Sequence, residues 1–436
     1  MLRQLSRSTR YLNSSAQLSS RLHNWQSDKL TDIGTGVNYD SDMDIFREQC
    51  RKFWASIPQE RVEKWDNDHQ PDAEIWKEAG AAGLLCIDSP AEYGGIGAQF
   101  EYSMVACEEQ AYAGPKFYGP GFGLHSGIVA PYITSFGTEE QKHKYIPSMT
   151  TGETISCIGM TEPSGGSDLQ AMKTNAVRDG NDWILNGSKT FISNGTLANL
   201  GLIAARTNKE GKAAHGISLF LVDTREHKGF NKGKNLRQVF FLIKSRLRIF
   251  FRKIGQHTYD TAELFFDNVR LPASALLGEE EGLNKGFYMM MNELPRERVG
   301  CALEACARLE GAFERTREYT LERKAFGSPL SHKQVIKHSM AEIKTEIVTV
   351  RLLADECVRL YAKGELDNET ASMLKLYATE KYVSCVSKLL QHWGGWGYMW
   401  EYDIAKEYAG ARVFSIYAGT SEIMKELISR NIYPRK

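Results

Sequence analysis

The chain of 436 residues has no excess of charge of either sign, since 54 lysines and arginines balance 54 aspartates and glutamates. Nothing in that balance draws it to nucleic acid or to an anionic membrane, so neither is an expected partner. It has no apolar run of the length, about eighteen residues, that a spanning helix needs, and no integral membrane segment is expected. Cysteine is sparse. The eight cysteines, Cys50, Cys86, Cys107, Cys157, Cys301, Cys306, Cys357 and Cys385, form no C-x-x-C and no Cys/His ligand set. They read as free thiols in a reducing compartment, which excludes a disulfide framework and a structural metal. Familiar chemical signatures are missing too. There is no G-x-x-x-x-G-K-[ST], no H-E-x-x-H and no G-x-G-x-x-G after a strand, so P-loop, zincin and Rossmann chemistry lack support. Gly165-Gly166-Ser167-Asp168-Leu169 approaches a nucleophile elbow but lacks its closing glycine.

What the chain does have is a change of hydrophobic period along its length. Residues 1–25 carry Arg3, Arg7, Arg10 and Arg21, many serines and no acidic residue, the signature of a mitochondrial transit peptide. From 41 to 155 apolar residues recur at helical spacing, as in Met43-Phe46-Cys50-Phe53-Trp54. From 156 to 273 the pattern turns to short runs rich in β-branched and aromatic residues: Trp183–Leu185, Leu202–Ala204, Ile217–Val222 and Ala262–Phe266. From 283 to 436 long helical patterns return, dominated by Ala, Leu, Glu, Lys and Arg. This order predicts an α+β multidomain fold: an all-α N-terminal domain, a small central β-domain and an α-helical C-terminal domain, with no doubly wound sheet.

Several segments could carry chemistry. Thr161 to Asp168 offers backbone N–H groups, hydroxyls and glycines that let a phosphate or a ring approach the backbone, although the same residues also suit a plain turn. Phe191-Ile192-Ser193-Asn194-Gly195 could set an aromatic against a flat ring, or form a hairpin around Asn-Gly. Arg323 to Gly327 could hold a pyrophosphate, or Arg323 could be a solvated charge. Read one by one, these segments leave the alternatives open.

Taken together and in order, these segments, with Glu92–Gly97, Gly394–Tyr398 and Tyr417–Ile423, resemble the acyl-CoA dehydrogenase family over nearly the whole chain from about residue 40. Ala275–Gly278, Asn292–Arg298 and Gly397–Tyr402 resemble in particular its long-chain members. The resemblance implies a helical domain, a barrel-like β-domain and a C-terminal four-helix bundle, assembled as a homotetramer in the mitochondrial matrix. It implies bound FAD, a long-chain acyl-CoA substrate oxidised to the trans-2-enoyl-CoA, and electron-transfer flavoprotein as partner; branched-chain substrates or a catalytically silent scaffold are the alternatives. Carried over by motif, Met160, Thr161, Phe191 and Ser193 flank the flavin ring, and Gly166 meets its phosphate. Arg323, Gln334, Gln391, Gly394 and Gly395 serve FAD across a subunit interface, and Thr420, Ser421 and Glu422 complete the site. Ser167, Tyr288, Pro295, Arg298, Ala418 and Gly419 fall at substrate positions.

Two departures stand out against the family pattern. Many members place the catalytic glutamate directly after the tyrosine of Tyr-x-Gly-Thr, but that position here is Ala418. Glu297, just before Arg298, matches the alternative location of the base; Glu293 is its rival, four residues earlier, with Pro295 disturbing the helical spacing between them. The second departure is Val239–Phe251, thirteen residues rich in Phe, Ile and basic side chains that interrupt the β-domain pattern. Their composition resembles translated non-coding sequence from a retained intron, with a genuine surface insertion as the alternative.

Overall fold

The apolar run at 217–222 forms a strand whose every residue from Ile217 to Asp223 is buried. Because side chains alternate along a strand, such a run requires cover on both faces. One face, Ile217, Leu219 and Leu221, packs with Tyr132, Met149, Leu202 and Met290; on the other, Phe220 meets Trp183 edge to face at 5.6 Å. This is β5 of a seven-stranded sheet: β1 (Ser156–Gly159), β2 (Asn175–Asp179), β3 (Asp182–Ser193), β4 (Leu200–Arg206), β5 (Ile217–Asp223), β6 (Phe230–Lys232) and β7 (Thr261–Leu271). The order is β1-β4-β2-β3-β7-β6, with β5 on β4. The computed structural model describes residues 41–210, 213–227, 229–233 and 253–433. The expected transit peptide and the Val239–Phe251 segment lie outside the described residues.

All four β-rich runs named from the sequence are strands, and the described residues on either side of the sheet are mainly helical, as an α+β chain requires. The helices used below are α1 (Ser41–Ala55), α2 (Gln59–Asp68), α3 (Glu74–Ala81), α4 (Phe100–Tyr112), α5 (Ala130–Phe136), α6 (Glu139–Thr150), α7 (Gly286–Glu322), α8 (Gln334–Ala362), α9 (Asn368–His392), α10 (Asp403–Ala411) and α11 (Ser421–Ile432). Packing divides the described residues into two units, one within 58–98 and 118–297 and the other of 41–57, 99–117 and 298–433. The first holds the sheet with α2, α3, α5, α6 and the start of α7. Its α6 opens with a capping box, Thr138 and Gln141 each closing on the other's backbone N–H. Gln141 then reaches the carbonyls of Ser274 and Leu276, fixing the chain that leaves β7.

The second unit gathers α1, α4, the rest of α7 and α8 to α11. Val299, Ala302, Leu303 and Cys306 recur at helical spacing on α7 and pack with Val350, Ala354, Cys357 and Val358 of α8 and with Leu374 and Ala378 of α9. Beside this apolar seam lies a buried ionic cluster. Arg47 donates to Glu108 at 2.9 Å and to Glu109 at 2.6 Å, while Arg351 donates to Glu310 at 2.6 Å and to Glu108. All five side chains are nearly inaccessible to solvent. α7 runs unbroken through Pro295, so Glu293 and Glu297 keep their four-residue helical spacing. All eight cysteines are free and seven are buried. Burial pushes the thiols of Cys50, Cys86, Cys157, Cys301 and Cys357 up to about 12.

Candidate active site

In the unit that holds the sheet, the carboxylate of Glu297 is half-buried and accepts a hydrogen bond from the Tyr132 hydroxyl at 3.1 Å. Tyr132 stands on α5 with its ring wholly buried, so the direction of its hydroxyl is set by packing. Burial, then the charge of Glu297, holds this phenol well above the ordinary tyrosine range. One turn earlier on α7, Glu293 is buried, and that burial raises its pKa against the opposing pull of Arg296 and the Ser135 hydroxyl. Arg296 itself is held by Asp88 at 2.6 Å and by the carbonyl of Gly127 at 2.9 Å. Two carboxyl groups one helical turn apart therefore sit in different surroundings, one hydroxyl-bonded and partly open, the other closed in. Tyr288, at the N-terminal end of the same helix, is exposed and faces the ring of His215 at 5.6 Å.

The Met160–Thr161 and Phe191–Ser193 segments, 30 residues apart in sequence, lie side by side in this unit. The Thr190 N–H donates to the Thr161 carbonyl at 3.0 Å and Lys189 Nζ to the Met160 carbonyl at 3.1 Å. A shift of register between Lys189 and Ile192 on β3 lets Phe191 leave the strand with φ of 60°, its ring 67% exposed. A bulky residue in the left-handed region is a strained choice, found where a site needs it. Asn194 follows with φ of 59°, yet the Asn-Gly pair makes no hairpin: β3 pairs with β2 and β7, and β4 with β1, β2 and β5. The Asn194 side chain is instead buried and donates to the carbonyls of Gly121 and Ser156. The Thr161 segment closes as a tight turn, Glu162 and Gly165 exchanging both backbone bonds, and leaves Gly166 and Ser167 exposed.

Behind that turn is a buried pair the sequence reading passed over. Lys189 Nζ lies 2.9 Å from Glu162 Oε1, and Glu162 also accepts the N–H groups of Lys173 and Thr174. Burial opposes the Glu162 charge, but these N–H donors and Lys189 win and take its pKa from an ordinary 4.5 to about 2. Between those values the unfolded chain binds the extra proton, so stability is lost as pH drops through this window. Glu162→Gln is expected to lower the thermal midpoint at pH 7, with the gap to the parent narrowing as pH falls from 4.5 toward 2. Thermal melts at stepped pH check this, and a constant gap would count against it.

In the helical unit, Ala418 and Gly419 are consecutive left-handed residues, with φ of 52° and 92°. Among the described residues no backbone carbonyl takes either of their N–H groups. Successive N–H groups in such a turn form an anion-binding concavity. Lys375, wholly buried, anchors it by donating to the Gly419 carbonyl at 2.6 Å. Thr420 then caps α11 through the N–H of Ile423, Ser421 reaches Glu380, and exposed Glu422 is drawn below the carboxylate range by its own N–H and the Thr420 hydroxyl. At the far end of α7, one turn before exposed Arg323, Tyr319 stacks on Trp393 at 4.0 Å; a Cβ at Gly394 or Gly395 would meet nothing within 4 Å. Gln334 and Gln391 are exposed. Arg298, expected at the substrate, is buried, and its Nη1 donates to Asn368 and to the Ser372 hydroxyl, which ties α7 to α9.

An exposed flat ring in strained backbone beside a tight glycine turn, both in the sheet-bearing unit, suits a planar ligand with an anionic group. The chain belongs to the acyl-CoA dehydrogenase family: its N-terminal, middle and C-terminal domains match residues 40–153, 157–269 and 284–433. It is 49% identical over 414 residues to the mitochondrial long-chain specific acyl-CoA dehydrogenase of Rattus norvegicus, covering 95% of this chain and 91% of that one. Its fold matches the crystal structure of acyl-CoA dehydrogenase from Geobacillus kaustophilus with a TM-score of 0.84 and 38% identity, over 91% of this chain and 100% of that one. A glutaryl-CoA dehydrogenase from Mycobacterium smegmatis, solved in complex with FADH2, matches with a TM-score of 0.80 and 29% identity over 91% and 96% of the two chains.

Proposed function

We propose that this chain catalyses the α,β-dehydrogenation of long-chain acyl-CoA thioesters to trans-2-enoyl-CoA, as a mitochondrial FAD enzyme placed in the matrix. The observation that carries the reading is in the sequence: Ala418 stands at the usual position of the base and Glu297 at the alternative one. The position after the tyrosine of Tyr-x-Gly-Thr is an alanine, while Glu297 is half-buried and accepts from the Tyr132 hydroxyl, which supports it as the base. Glu297 takes the α-proton. A carboxylate in partly water-poor surroundings is a competent base for a carbon acid whose neighbouring carbonyl is polarised at the same moment. The open N–H groups of the Ala418–Gly419 turn supply that polarisation, held against collapse by Lys375. Ala418 keeps its part through its backbone alone.

Met160, Thr161, Gly166, Phe191, Ser193 and the Thr420–Glu422 cap would hold FAD, with Arg323, Gln334, Gln391, Gly394 and Gly395 serving a neighbouring subunit of a tetramer. When bound, FAD supplies the acceptor for the β-hydride. Ser167, Tyr288, Pro295 and Gly419 line the approach of the thioester and its CoA, and electron-transfer flavoprotein takes the electrons onward. Anaerobic titration of the purified holoenzyme with palmitoyl-CoA, following the yellow absorbance, tests the reading. Stoichiometric bleaching supports it. Bleaching by isovaleryl-CoA alone would assign a branched-chain enzyme, and a colourless or unresponsive protein would leave a silent scaffold.

A further inference from the structure

Lys189 is wholly buried, and among the described residues its ammonium meets Glu162 at 2.9 Å and the Met160 carbonyl at 3.1 Å. Gly159 leaves room for its stem, since a Cβ there would lie 3.2 Å from Lys189 Cγ. Burial draws the Lys189 pKa down to about 8 and the Glu162 charge opposes that fall, so the ammonium form holds at neutral pH. In a trans peptide the carbonyl and the N–H that follows it point in opposite directions. With the Met160 carbonyl turned onto Lys189, the Thr161 N–H of the same peptide faces away from the buried pair. Among the described residues nothing accepts from it, and Thr161 is only half-buried. The next carbonyl, that of Thr161, is taken by the Thr190 N–H at 3.0 Å, so β3 holds two successive peptides of the segment.

We propose that Lys189 is a positioning residue of the flavin site, acting through the Met160–Thr161 peptide to aim the Thr161 N–H at an acceptor atom of the flavin ring and to strengthen it as a donor. This rests on the proposed place of the segment beside the flavin. A cation bonded to a carbonyl polarises the whole peptide, and its N–H becomes the stronger donor. Glu162 contributes by keeping that cation charged in a buried setting.

Lys189→Met alone strands the Glu162 charge and loses stability for that reason, so the informative variant is Lys189→Met/Glu162→Gln, in which the pair is neutral. In the purified holoenzyme, FAD release on dilution, followed by flavin fluorescence, should be about tenfold faster in this double variant than in the parent. The flavin midpoint potential should move negative, since reduction adds electron density to the ring that the donor faces. Hydrogen exchange read by mass spectrometry at single-residue resolution reports the contact itself. The Thr161 amide should exchange slowly in the parent holoenzyme and faster in the double variant. Parent values of potential and Thr161 exchange in the double variant, whatever the release rate, leave Lys189 a structural role only and overturn the proposal while the flavin contact stands. A Thr161 amide that exchanges as an open one in the parent holoenzyme overturns the contact and the role of Lys189 together.

Discussion

Glu297→Gln should purify yellow and fold as the parent does, yet lose about four orders of magnitude in the rate at which palmitoyl-CoA bleaches it. The amide is the same size as the carboxylate, and its oxygen can still accept from Tyr132, so packing around α5 and α7 is kept. What it cannot do is take a proton from carbon. Glu293→Gln is the companion variant. Glu293 is buried, and that burial raises its pKa, so a neutral amide of the same size suits its surroundings. Its rate should fall less than about tenfold. If Glu293→Gln were the dead variant and Glu297→Gln the active one, the base would be one helical turn earlier than assigned.

The largest effect on stability is expected at Arg351, far along the chain from the residues of the reaction. Its guanidinium serves Glu310 and Glu108, lies 3.6 Å from Asp355 and takes a further bond with the Tyr112 hydroxyl. Arg351→Met would leave two buried glutamates with less positive charge than they were folded around. Removing one partner from a buried pair costs about 3–5 kcal/mol, because the other charge is stranded in a poor solvent. For a unit of this size that corresponds to a thermal midpoint lower by roughly ten degrees. Arg359 on the same helix is the control. Its partner Glu356 lies three residues away on the surface, and Arg359→Met should change stability by less than about 1 kcal/mol. Melts of the two variants side by side decide the matter; equal small shifts would mean that the buried cluster is readily rehydrated.

The sheet was legible because β-branched and aromatic runs differ from the helical spacing on either side, and Trp183, Ile203, Phe220 and Phe266 all fall in strands. The buried charges were not. On α1, Arg47 interrupts the apolar stripe of Met43, Cys50 and Trp54 and reads as a solvated residue until its partners on α4, some 60 residues away, are seen. Local period carries no information about a contact made at that distance. The same holds for the site. Glu297 and Ala418 were visible as motif positions, but Tyr132 sits in an apolar helix where a tyrosine reads as core. Lys189, Glu162 and Lys375 act through carbonyls and carboxylates that only the fold brings near. Asn194–Gly195 misled in the opposite sense, since its turn chemistry is genuine but serves a buried junction. Pro295, a helix breaker in isolation, is carried inside α7, where the packing of the surrounding turns outweighs one lost hydrogen bond.

The buried cysteines give the molecule a set of internal clocks. A thiol held near 12 has almost no thiolate at neutral pH, and a reagent cannot reach it until the surrounding structure opens. Of the thiols so held, Cys86 and Cys157 belong to the sheet-bearing unit, and Cys50, Cys301 and Cys357 to the helical one. The order in which they are alkylated therefore records which unit opens first and how often, without any probe having been added to the protein.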